Sequence, residues 1–306
     1  MTNLFINLIY IFLFCLGTIV GSFLLVVIFR SEKEEEVIRT PSHCTYCGAK
    51  LSWYELIPIL SFVFLGGKCR HCHHRLSLWY PLMEILIGIL FDLVFWRFLH
   101  LPFFQFALFS KNLTFIFLAV FSLLLWLIYT SVLTLIATYD LRNMVVLDSF
   151  LLVGLLTAFV GETSLYLVSY FTKIGFVEEF HQFLGGFNYL FPAVTFSGIW
   201  SNLIGMFCSW FFIFLIYKLS HGKAMGNGDP LIAAFIGWIL GMPEALFFIL
   251  LSFIIGGLYS IVLLVFRKKT IKQHIAFGPW LALAGFLIFL AGDILLQWYL
   301  NLLTVA

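Results

Sequence analysis

The stretch LTFIFLAVFSLLLWLIYTSVLTLIATYD, residues 113–140, runs without a charge through residue 138 and then ends on Asp140. A helical crossing of a bilayer takes about 20 apolar residues, so it reads as a membrane span with a carboxylate at its polar border. A carboxylate is costly to keep there, and its default reading is functional. A second acid, Asp229, closes the glycine-rich turn MGNGD at 225–229, again where apolar sequence meets polar sequence. If their segments converge, the two acids form a pair that shares one proton and activates water.

The rest of the chain has the same character. Of its 306 residues 62% are hydrophobic, only 10% are charged, and Phe alone accounts for 38. Mean hydropathy is +1.07, which excludes an ordinary soluble domain. A net charge of +2 argues against nucleic acid as a partner. Apolar runs fall at 4–29, 79–98, 113–138, 145–168, 199–219, 231–240, 245–266 and 276–300. The first has no basic segment before it and is too long for a signal-peptide core, so it reads as a retained span. The run 231–240 is short for a crossing and meets the next through Gly241-Met242-Pro243; such a break is tolerated only inside protein or beside a wet cavity. The expectation is an all-α polytopic membrane bundle of about eight transmembrane helices, carrying a small cytoplasmic zinc-binding loop domain.

Basic residues set the orientation. If the loop 30–77 is cytoplasmic, all of the 17 Lys and Arg except Arg97, Lys111 and Lys173 lie inside. That assignment also puts Asp140 and Asp229 at the cytoplasmic face, a result the charge argument did not assume.

The loop carries two C-x-x-C pairs, Cys44 with Cys47 and Cys69 with Cys72. Four thiolates in two knuckles complete a tetrahedral Zn²⁺ shell with no open position, which makes a structural site. A reducing cytoplasm favours metal over disulfides, the other use of four such cysteines. His43, His71, His73 and His74 lie nearby as substitute ligands, while Cys15 and Cys208 sit in apolar runs as packing residues.

These segments resemble a known family, the type IV prepilin peptidases, membrane aspartyl proteases of the GxGD kind. GSFLLVVIFR at 21–30 is similar to the family's opening signature. PSHCTYCGAKLSWYELIPILSF at 41–62 and GKCRHCHHRLSLWYPLMEIL at 67–86 resemble its zinc segment. ATYDLRNMVVLD at 137–148 and MGNGDPLIAAFIGWILG at 225–241 resemble the two catalytic segments, and IAFGPWLALAG at 275–285 the last span. Leu25, Leu147 and Pro230-Leu231 depart from the family pattern, the last by removing a lysine after the second aspartate. The resemblance implies a leader peptidase for type IV prepilins or pseudopilins in the bacterial cytoplasmic (inner) membrane, with Asp140 and Asp229 catalytic. It also implies N-methylation of the new N-terminus from S-adenosylmethionine, for which no cofactor motif exists in the sequence. On this reading residues 1–100 hold the first spans and the tetracysteine loop (about 31–78), and residues 101–306 form the peptidase core.

Asp140 and Asp229 are assigned jointly, because a coupled pair titrates as a unit. Gly226 and Gly228 let backbone approach the scissile peptide and permit positive φ. Asp148 reads as a helix-end or substrate-side group, Asp92 and Asp293 as interhelical partners, and Glu84 as part of a second site or of an Arg pair. Glu32, Glu34, Glu35 and Glu36 form an acidic patch, either a solvated loop or a lure for basic leaders. The reading from another function class is a proton- or metal-coupled transporter with a regulatory zinc loop. It predicts internal repeats and a paired acid site at mid-membrane depth; no clear repeat is seen, and Asp140 and Asp229 sit at the cytoplasmic edge.

Overall fold

The computed structural model describes residues 2–33, 36, 41–101, 104–105, 107, 112–172, 199–223, 225–266 and 276–305. Side chains are described for these except at 2–3, 148, 169–172, 293 and 296–305. Glu34 and Glu35 of the acidic patch and most of the outer loop at 170–195 therefore lie outside the described residues, as do the side chains of Asp148 and Asp293. The chain divides into two compact units, Met1–Trp96 and Arg97–Ala306.

The first unit contains α1 (Thr2–Glu32), a 3-10 turn (Trp53–Leu56), the short α2 (Leu60–Phe64) and most of α3 (Trp79–Leu99). α1 and α3 meet backbone to backbone. A Cβ on Gly17 would lie 2.8 Å from Gly88 Cα, and one on Gly21 would lie 2.8 Å from the Met83 carbonyl oxygen. Between hydrophobic helices in lipid, such close approach is the main source of packing energy. Among the described residues the only extended pairings are two isolated bridges, His43–Lys50 and Lys68–Arg75.

The second unit is built of α4 (Leu113–Asn143), α5 (Asp148–Thr172), α6 (Ile199–Leu219), α7 (Asp229–Leu240), α8 (Glu244–Val265) and α9 (Gly278–Val305). Asn112 caps α4 by accepting the Thr114 N–H at 3.0 Å. Thr130, Thr134 and Thr138 turn their hydroxyls back onto the carbonyls of Trp126, Thr130 and Thr134, which satisfies polar groups inside an apolar helix. α4 stops where Met144 takes the left-handed conformation (φ 53°) and returns its N–H to the Asp140 carbonyl. Val145-Val146-Leu147, expected to open the next span, are instead its connection.

α7 lies at the centre of this unit, packed by α5, α6, α8 and α9. Apart from Leu231 all its residues are buried. Phe159 of α5 packs on Trp238 (5.1 Å between ring centres) and Tyr129 of α4 on Phe235 (6.1 Å). α6 approaches so closely that a Cβ on Gly205 would fall 2.5 Å from the Gly237 carbonyl oxygen.

Among the described residues five helices are long and apolar enough to cross a membrane: Leu4–Glu32, Leu113–Asn143, Ser149–Val168, Ile199–Leu219 and Glu244–Val265. The chain is an integral membrane protein. The other three expected spans differ for separate reasons. α3 has the length but carries Glu84, Asp92 and Arg97. α7 has 12 residues, about 18 Å at 1.5 Å each. α9 is interrupted at Ala291, where φ is −139°.

Candidate active site and metal centre

Asp140 sits in the last turn of α4 and Asp229 opens α7; both are buried. Neighbouring backbone brings their segments together. Val146, just past the end of α4, packs on the glycine turn: a Cβ on Gly228 would lie 2.5 Å from that of Val146. The start of α9 provides the second bridge. The Gly278 N–H donates to Asp140 Oδ2 at 3.1 Å, and a Cβ at Gly278 would meet that oxygen at 2.7 Å and Ile232 Cδ1 of α7 at 3.0 Å. The two carboxylates lie close enough for the charge on Asp140 to act on Asp229.

Each acid is held the same way. The Gly226 N–H donates to Asp229 Oδ2 at 2.8 Å, as Gly278 does to Asp140. In both cases one oxygen is fixed by a glycine amide. The positive φ expected of Gly226 and Gly228 is absent: Gly228 has φ −80°, and neither belongs to the left-handed residues. Steric room against Val146 is what requires glycine at 228. Pro230 falls in the first turn of α7, where its missing N–H breaks no helix bond.

The other acids separate by partner. The Glu84 carboxylate accepts the Ile59 N–H at 2.7 Å and the Ser22 hydroxyl; among the described residues its partners are an amide and a hydroxyl, and not the arginine that one of its two readings called for. Asp92 Oδ1 is buried without a hydrogen bond among the described residues, facing Tyr10 of α1. Sequence reasoning passed over two buried acids. Glu162 accepts the Tyr129 hydroxyl at 3.4 Å, and Glu244 follows the Met242-Pro243 break with Oε1 unbonded among the described residues. Glu162 stands inside an apolar run, the same signal that singled out Asp92, whereas Glu244 falls in the short break between two runs. Gly278 offered no such signal, since its partner lies 138 residues away.

The four loop cysteines are free thiols, not disulfides, and their sulfurs all lie within 4.8 Å of one another. The two knuckles repeat each other bond for bond. Gly48 N–H reaches the Cys44 carbonyl and His73 N–H the Cys69 carbonyl, each at 2.9 Å; Cys44 N–H reaches Ala49 O and Cys69 N–H reaches His74 O, again at 2.9 Å. Gly48 (φ 70°) and His73 (φ 56°) occupy the same left-handed position. The cluster could hold a metal ion. Burial opposes ionisation of Cys44, but the amides of Cys47 and Tyr46 and the neighbouring thiols bring it down from 9.0 to about 7. Cys72 accepts from the His74 amide, yet burial and the other three thiols push it up to about 11.

Beside the knuckles lies a cavity of about 520 Å³, lined among others by Phe29, Arg30, Glu55, Phe62, Tyr80 and Glu84.

Residues 15–98 match the bacterial peptidase A24 N-terminal domain. The prepilin leader peptidase/N-methyltransferase of Bacillus subtilis (strain 168) is 27% identical over 293 residues, covering 95% of this chain and 97% of that protein. A protein of the same name from Neisseria gonorrhoeae is 29% identical over 307 residues, 91% of this chain and 89% of that one. One from Myxococcus xanthus (strain DK1622) is 49% identical over 81 residues, 26% of this chain and 24% of that protein. No solved structure matches the chain.

Proposed function

From the premise that this chain belongs to the prepilin leader peptidase family, we propose that it cuts the basic leader from type IV prepilins or pseudopilins by an aspartyl mechanism at Asp140 and Asp229. The observation that supports this reading is the paired arrangement of two buried carboxylates, each with Oδ2 tied to a glycine amide. Like charges so close do not ionise together, so the pair holds one proton. The ionised carboxylate takes a proton from water as the water oxygen bonds to the scissile carbonyl carbon. The C–N bond then breaks, and the leaving amine takes its proton from the pair. The amide-bound oxygens fix the two groups in rotation and leave the other two free for water and peptide. Gly226 and Gly228 keep that turn slim.

For the loop we infer Zn²⁺. A tetrahedral site with Zn–S of about 2.3 Å has sulfur–sulfur edges of about 3.8 Å, and Cys44 Sγ to Cys72 Sγ measures 3.9 Å. The donor set leaves no open position, so the metal is structural. The relatives' joint name adds an N-methyltransferase, for which the methyl donor is S-adenosylmethionine. When bound it supplies an electrophilic methyl group. The cavity of about 520 Å³ falls within the usual 300–1,000 Å³ of small-molecule sites. Phe29 and Tyr80 there offer faces for a flat base or a cation, and Glu55 and Glu84 offer negative charge. We also read α3, α7 and α9 as completing an eight-span bundle in the bacterial inner membrane, with both aspartates toward the cytoplasm. The direct test is incubation of the purified protein with a prepilin carrying its basic leader. Shortening of the prepilin is expected, and an intact prepilin would remove the proposal.

A further inference from the structure

The segment between the two knuckles is too apolar for a loop in water. WYELIPILSFVF, residues 53–64, holds a single charge, Glu55, whose carboxylate turns back onto the Ser52 N–H at 2.8 Å. α2 divides by face. Ser61, Phe62 and Leu65 line the cavity. Leu60, Val63 and Phe64, spaced i, i+3, i+4, point away from it and are exposed, Val63 by 66% and Phe64 by 83%. Trp53 is 78% exposed, and Ile57 is exposed beside it. An outward apolar face of this kind on an otherwise basic loop needs an occupant.

The position of α2 identifies it. Ile59 stands at φ 61°, ψ −53°, with the Leu60 N–H bonded to the Pro58 carbonyl. That is a γ-turn of the rare, strained hand, and strain falls most heavily on a β-branched residue. What holds it is the Ile59 N–H on Glu84. Glu84 lies five residues into α3 and so about 7 Å along it. α3 has 21 residues, or about 31 Å, which matches the hydrocarbon thickness of about 30 Å with little to spare. If α3 spans, Trp79 marks the membrane boundary and Glu84 lies inside it, so α2 is drawn down to lipid depth. The exposed Lys50, Lys68, Arg70 and Arg75 lie on the knuckles, where they suit anionic headgroups.

We propose that residues 53–64 form an interfacial anchor: α2 and the Trp53 turn lie in the headgroup–acyl boundary of the same leaflet that α3 enters, with Glu84 as the clip that holds them down. The occupant of the exposed face is the bilayer itself. The inference rests on the reading of α3 as a span, and its test separates the two.

The full-length, metal-loaded protein is prepared with an environment-sensitive fluorescent amino acid in place of Phe64. Parallel samples carry it in place of Val63, Lys50 or Ile89. Each is reconstituted in phosphatidylcholine–phosphatidylglycerol vesicles brominated near the headgroup end or near the tail end of the acyl chains. At 64 and 63 the expected result is blue-shifted emission, quenched about twice as strongly by the shallow bromines as by the deep ones, as for a helix 5–10 Å into the boundary. The probe at 50 stays unquenched and the probe at 89 is quenched. Water-like, unquenched emission at 64 and 63 with quenching at 89 overturns the anchor and leaves α3 spanning. No quenching at 89 overturns both readings. Protection at 64 that appears only with added prepilin, or only as protein concentration rises, assigns the face to substrate or to a second copy and overturns the anchor. In the Glu84→Gln protein the γ-turn loses its ionic acceptor, and shallow-bromine quenching at 64 is expected to fall by about half. Unchanged quenching there removes Glu84 as the clip.

Discussion

At the scale of single residues, the aspartate pair makes the sharpest demand. Asp140→Asn and Asp229→Asn each remove one member of a proton-sharing couple, so cleavage of a prepilin should fall by about 10²- to 10⁴-fold. Yield and thermal unfolding in detergent should stay near those of the unaltered protein; near-normal cleavage by either variant would remove that residue from the chemistry. Gly278→Ala tests the amide that orients Asp140. A methyl 2.7 Å from Oδ2 must displace the carboxylate, and displacement by a fraction of an ångström is expected to cost up to about 10²-fold in kcat with KM little changed. Equal losses through KM alone would count against an orienting role. The two acids were legible in the sequence because charge is conspicuous in an apolar chain. The amide that steadies Asp140 was not, because nothing local marks a glycine whose partner lies 138 residues earlier. Gly228 was legible as a residue type, but what requires it in the structure is contact with Val146 and not the expected positive φ.

At the scale of elements, the paired knuckles behave as one clasp. Their spacing announced a four-sulfur site, and their mirrored hydrogen bonds show why it closes. Cys44→Ser or Cys72→Ser should lower zinc from one per chain toward zero and loosen the loop, since the binding energy of a structural site is folding energy. Metal analysis and limited proteolysis report both effects, and a zinc-free unaltered protein that still resists proteolysis would refute the assignment. Helix existence and order could be read from the apolar runs, but helix ends could not. α4 runs beyond its last apolar residue to carry Asp140 and stop at Met144, and Val145-Val146-Leu147 are lost to the connection because Val146 is needed against Gly228. α2 had no sequence signal at all, since five residues are too few to show a period.

At the scale of the whole molecule, the distribution of Lys and Arg predicts a single cytoplasmic face. Single cysteines placed at Lys50 and at Lys223 should resist membrane-impermeant thiol reagents in intact cells and react once the cells are opened. Reaction from outside at either position would overturn the orientation. The short, enclosed α7 carries a consequence for biosynthesis. About 18 Å of helix is too little to settle in lipid by itself, and its backbone lies directly on that of Gly205 in α6. Asp229 therefore gains its final place only after α8 has turned back. Asp140 waits longer still, for the amide at residue 278. On the proposed mechanism, a ribosome that has delivered both carboxylates has not yet delivered the amide that orients Asp140, so the emerging chain is expected to cut no nearby peptide until residue 278 is in place.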